Sequence, residues 1–126
     1  MQGYVLPSNP SDIVELSGEL FLFAVGVIII IILLPIWKRY FVLNRKGKSI
    51  IFGFIALTLH FFFDMLDTIA ASSQKYYETQ GRLDVAASFV TLHATFDILD
   101  SLLGAIGLFL IVFGTLKVLP RKLWDE

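Results

Sequence analysis

The chain has 126 residues, 56% of them hydrophobic and only 17% charged, against roughly 45–50% and about 25% in an ordinary soluble domain. That balance cannot cover a water-soluble fold of this size with polar surface, so the solvent is mostly lipid. With no Cys in the chain, disulfides, thiolate zinc sites and iron–sulfur clusters are excluded, and any bound metal must rest on N and O ligands.

The formal net charge of −1 hides an uneven distribution. Asp64, Asp67, Asp97 and Asp100 lie in otherwise apolar segments, whereas every Lys and Arg lies outside those segments or at their ends.

At the N-terminus, Met1, Gln2, Gly3 and Tyr4 form no basic n-region, and the first apolar run begins only after Asp12, Glu15 and Glu19. This does not read as a cleaved signal peptide, and the first apolar segment is expected to stay in the mature protein. The first span is predicted over 16–37, with an uncharged heart long enough to cross a bilayer core. Asp12 followed by Glu15 resembles a capping box, with Pro10 and Ser11 marking the helix start. Pro35 falls near the far end, where a kink is tolerated, and Trp37, Lys38, Arg39 and Tyr40 form an interfacial anchor. Glu15 and Glu19 are expected to be solvated at the interface, with Glu19 within reach of a shallow site.

A basic linker follows, with Lys38, Arg39, Arg45, Lys46 and Lys48 and no acidic residue, and then a second span over 50–71. The excess of positive charge predicts a cytoplasmic linker. Residues 72–84 read as a polar outer connection of mixed charge (Lys75, Glu78, Arg82, Asp84), with Gly81 as the helix breaker. The third apolar segment, 85–119, ends in Lys117, Pro120, Arg121 and Lys122, which gives an N-out, C-in topology. At about 1.5 Å per residue this segment exceeds a core of roughly 30 Å, so it must tilt or project.

Only helices or closed barrels satisfy the backbone in lipid, and long apolar runs without period-2 alternation select helices. The predicted fold is an all-α integral membrane protein of the cell membrane. It is a single domain over 1–126 with three transmembrane helices, the last two an antiparallel hairpin formed by an inverted repeat.

The repeat aligns 58–68 with 91–101 at an offset of 33, with seven identities in eleven positions. Both copies carry His-x-x-x-Asp-x-x-Asp: His60, Asp64 and Asp67 in the first, His93, Asp97 and Asp100 in the second. The i, i+4, i+7 spacing stacks each set on one helix face. A tight turn centred between residues 78 and 79 would set His60 level with Asp97 and Asp64 level with His93. That would make a His₂Asp₂ set suited to tetrahedral zinc and acceptable to manganese or iron, with copper less favoured. Asp67 and Asp100 would then orient those ligands or bind an adjacent ion. Levelling the inner ends at Lys48 and Lys117 instead sets Asp67 opposite Ile98, within two residues of Asp100.

An ionised carboxylate at the bilayer centre costs about 2.5–3.5 kcal/mol on insertion scales, so a cluster of them calls for a neutralising partner. A bound cation meets that need and uses the histidines as well. Protonated carboxylates on a proton path, structural hydrogen bonds between helices, and basic residues of a partner subunit are the other readings. Haem held by facing histidines is a further one, disfavoured because His60 and His93 sit at different depths in the hairpin register.

The His-x-x-x-Asp spacing on two helices resembles the intramembrane zinc site of cation diffusion facilitators. The likeness is confined to that spacing and implies zinc ligation by His60, Asp64, His93 and Asp97. Those proteins have twice as many spans and a cytoplasmic domain.

Gly104, Gly107 and Gly114 permit close helix packing, within the chain or between subunits. Phe61, Phe62 and Phe63 read as lipid-facing or packing bulk. No nucleotide-binding loop or hydrolase nucleophile pattern is visible, and the basic linker reports topology rather than nucleic-acid binding. The sequence thus predicts a metal-binding subunit of a homo-oligomer or larger membrane complex, such as a metalloenzyme or respiratory assembly. The alternatives are an oligomeric transporter of divalent cations or protons, or a non-catalytic anchor.

Overall fold

The computed structural model describes residues 3–40 and 47–118. It contains three α-helices, α1 (Pro10–Tyr40), α2 (Lys48–Thr79) and α3 (Leu83–Val118), and no strand among the described residues. All three are long and apolar enough to cross a membrane, which makes this a multi-pass membrane architecture. The side chains of Trp37, Arg39 and Tyr40, and residues Met1, Gln2, Arg45, Lys46, Leu119, Pro120, Arg121 and Lys122, lie outside the described part, and with them most of the anchor and basic-end readings.

The start of α1 differs from the capping-box expectation. Asn9 is the N-cap: its Oδ1 accepts from the Ser11 backbone N–H at 3.2 Å, and its carbonyl accepts from the Ile13 N–H at 3.0 Å. Pro10, whose missing N–H has no intrahelical partner to lose, takes the first helical position. Asp12 therefore lies inside the first turn with its carboxylate free for another role. The helix runs unbroken past Pro35.

The second connection is much shorter than the sequence suggested. Residues 72–79 belong to α2, and only 80–82 separate it from α3. The extra turns form because they carry a buried stripe: Ala70, Ser73 and Tyr77 pack against Val85, Ala86 and Phe89. Tyr77 and Phe89 stack at 5.6 Å between centroids. Gly81 supplies the left-handed residue that ends α2, with φ of 74°. Its N–H donates to the Glu78 carbonyl at 3.0 Å and the Arg82 N–H to the Tyr77 carbonyl at 2.9 Å, a Schellman motif. The hydrophobic contact usual in that motif is here the Arg82 guanidinium over the Tyr77 ring, 5.4 Å from its centroid.

Helix α2 is the central element and packs on both α1 and α3. Glycines let α2 and α3 approach at backbone distance. A Cβ at Gly53 would lie 2.8 Å from the Gly107 carbonyl oxygen, one at Gly107 2.9 Å from the Gly53 oxygen, and one at Gly114 2.9 Å from the Ile50 nitrogen. Small residues of this kind drive helix association where lipid removes the hydrophobic incentive. On the α1 side, Thr58 sits against Gly26, and Phe62 packs on Phe23 at 5.6 Å.

The segment before α1 folds over the far end of α2. Val5 N–H donates to Ser73 Oγ at 2.8 Å, Tyr77 Oη–H donates to the Gly3 carbonyl at 2.8 Å, and Tyr4 meets Phe89 edge-on.

Candidate metal centre

Asp64 and Asp100 fall close to the middle of α2 and α3, far from either helix end. They sit there because the stripes of the two repeat copies meet. His60 Nδ1 contacts the Asp100 carboxylate, and the same nitrogen lies 2.8 Å from the Asp100 carbonyl oxygen. His93 Nδ1 contacts the Asp67 carboxylate. Carboxylate oxygens of Asp64, Asp67 and Asp100 all lie within 4.8 Å of one another.

These contacts correct the facing pairs expected from the sequence. His60 meets Asp100 rather than Asp97, and His93 meets Asp67 rather than Asp64. The reason is the turn. Gly81 closes the connection as the residue after the α2 cap instead of lying beyond a tighter turn, which slides the facing positions by three residues. Three residues is close to one helical turn, so the stripes still meet, with different partners. The register lies between the two considered from sequence.

Asp97 is exposed and stands outside the group of three carboxylates, whereas its counterpart Asp64 is half-buried within it. Helix α1 packs on α2 and shields the Asp64 stripe. No described helix covers the corresponding face of α3.

Glu19 is the residue whose role the sequence misjudged. It is buried at 7% exposure rather than solvated. Its Oε1 accepts from the Thr68 hydroxyl at 2.7 Å, while Oε2 is buried without a hydrogen-bond partner among the described residues. The available signal was its spacing from Glu15: i and i+4 put both carboxylates on one face, and only one can lie at the helix end.

Among the described residues, no Lys or Arg pairs with the acidic residues of the two stripes; Lys75 pairs with Asp12 at 3.7 Å, toward the helix ends. Asp67 Oδ1 and His93 Nδ1 face each other but are buried without a well-formed hydrogen bond. Each histidine is engaged through Nδ1, which leaves Nε2 as the nitrogen available to a further partner. Gly104 is where it is because of His60: a Cβ there would lie 3.0 Å from His60 Nδ1. Chemically, this is a set of hard oxygen donors flanked by two oriented imidazoles, suited to a divalent cation. No protein-family model, curated protein or solved structure matches the chain.

Proposed function

We propose that the protein is a membrane-embedded metal-binding subunit. Asp64, Asp67 and Asp100 supply oxygen to a divalent cation, and His60 and His93 are oriented by Asp100 and Asp67 so that Nε2 can ligate. The convergence of three carboxylates in the middle of apolar helices, without a basic partner among the described residues, carries this reading. A cation with two positive charges offsets the cost of those carboxylates where water cannot. Zinc, manganese and iron match the mixed oxygen and imidazole set better than copper.

The same pairs support a topology. Exchanging the two copies by their offset of 33 turns the His60–Asp100 contact into the His93–Asp67 contact. That exchange supports an antiparallel hairpin with a pseudo-two-fold axis through the site, the arrangement that surrounds ions in many transporters. Asp97, exposed at a similar depth, supports assembly with a second copy or another membrane subunit, because a charged group facing lipid there is costly.

Metal analysis of the protein purified in mild detergent tests the proposal. Stoichiometric zinc, manganese or iron is expected, falling at least tenfold in the double variant His60→Ala/His93→Ala and in Asp64→Asn. Metal-free protein after loading and desalting, or content indifferent to these changes, removes it. Flux of the bound metal into liposomes would assign transport rather than a fixed site.

A further inference from the structure

The two His–Asp contacts differ in what lies beside them. A cavity of about 130 Å³ opens on the His93–Asp67 contact, lined by Asp12 and Glu15 of α1, Asp67, Thr68 and Lys75 of α2, and His93 of α3. A second cavity of about 350 Å³ lies under the N-terminal segment, between Val5, Leu6 and Asn9 on one side and Tyr76 and Thr79 on the other. Asp12, Ser72 and Lys75 line both. The Asp12–Lys75 ion pair, 3.7 Å long, therefore borders both an outer chamber at the helix ends and an inner one beside the His93–Asp67 contact.

We propose that a hydrated divalent cation reaches the carboxylate cluster from the N-terminal side, through these two chambers, with Lys75 on Asp12 as the partition it displaces. The inference rests on the metal-binding reading above and adds to it a route and a direction.

Four observations carry it. The inner chamber is lined by both residues of the His93–Asp67 contact, whose facing atoms, Asp67 Oδ1 and His93 Nδ1, are buried against each other without a well-formed hydrogen bond. Behind Thr68, on the chamber wall, stands Glu19, more than nine-tenths buried with Oε2 unpartnered. The charged groups lining the inner chamber are acidic save Lys75 and the histidine itself, and a cleft lined by one sign of charge concentrates the opposite ion. Lys75 is mostly exposed, its side chain at 69% against 23% for Asp12, and a 3.7 Å contact from a solvated ammonium is weak, so a divalent cation can replace it on Asp12.

Because the chain has no Cys, a single cysteine reports on the route without background. Ser72→Cys is placed in sealed proteoliposomes and treated with a membrane-impermeant maleimide. Cleavage of an N-terminal tag measures the fraction of molecules with the N-terminus outside, and bound zinc is measured in the same vesicles. The labelled fraction is expected to equal the N-outside fraction. Zinc chloride should slow labelling at least tenfold, and His93→Ala should abolish that protection while leaving the cysteine reactive. In rapid-mixing loading experiments, Lys75→Gln should take up zinc severalfold faster than the parent. Labelling of the N-inside fraction, or stoichiometric zinc without protection, overturns the route but leaves the metal site standing. An unchanged loading rate in Lys75→Gln overturns the partition. Absence of bound zinc in both Ser72→Cys and its parent overturns the site and the route together.

Discussion

The two copies of the repeat carry the same His-x-x-x-Asp-x-x-Asp pattern, yet they have different surroundings. In the second copy Asp97 and Ser101 are exposed; in the first, the equivalent Asp64 and Thr68 are half-buried, and Thr68 donates to a buried glutamate. The histidines differ too. His60 and Asp100 are 24% and 10% exposed, whereas His93 and Asp67 are 43% and 14% exposed and border a chamber. The cause is α1, which packs on α2 and supplies Asp12, Glu15 and Glu19 to that side. Two stripes of the same sequence pattern acquire different surroundings once a third helix covers one of them.

That comparison can be broken outright at the glycine contact on which both His–Asp pairs depend. Gly53→Val puts a branched side chain against the Gly107 carbonyl, where even one Cβ would stand at 2.8 Å. Overpacking at a backbone contact costs on the order of 3 kcal/mol. Denaturation in mixed micelles, followed by helicity, should show that loss together with loss of the proposed bound metal.

A finer test exchanges the small residues beside the histidines. Gly104 abuts His60, and at the equivalent position of the other copy Ala71 lines the chamber near His93. Gly104→Ala must displace the His60 ring by a few tenths of an ångström, and disturbing an oriented ligand weakens metal affinity by about tenfold. Ala71→Gly, which only enlarges a chamber, should change affinity less than about twofold, since no orienting contact is lost. Equal effects in competition titrations would erase the distinction between a closed and an open half.

The α1 contribution is tested by Thr68→Ala, which leaves both oxygens of buried Glu19 without a partner. The expected destabilisation is about 1–2 kcal/mol, with Thr68→Ser restoring most of it, read in the same micelle unfolding assay. Smallest of all should be the effect of Lys75→Gln on stability, within about 0.5 kcal/mol, as for other exposed ion pairs. A larger loss would make that pair a structural brace instead of a movable partition.

Much of the candidate site was legible before any coordinates. Six polar residues at i, i+4, i+7 spacing, repeated at a fixed offset on apolar segments, had to form one stripe on each helix, because helix periodicity fixes a face. Which residues meet was not legible. His60 chooses between Asp97 and Asp100 according to where the connection turns, and both choices lie on the same face one turn apart. The polar stretch from Ser72 to Thr79 looked like a loop by composition. It became helix because Ser73 and Tyr77 found a packing surface on α3 and on the N-terminal segment, a long-range cause that no local pattern carries.

The sequence by itself therefore determined that this chain offers three membrane-length helices and that two of them carry matched His-x-x-x-Asp-x-x-Asp stripes. Composition, period and charge placement are local properties and suffice for each. Tertiary structure decided the register of the stripes, the burial of Glu19, the exposure of Asp97, and the chamber that opens on His93. Each of these depends on how closely Gly53 and Gly107 let α2 and α3 approach, and on which helix α1 chooses to cover. Those are questions of packing between distant segments, and packing is settled in three dimensions.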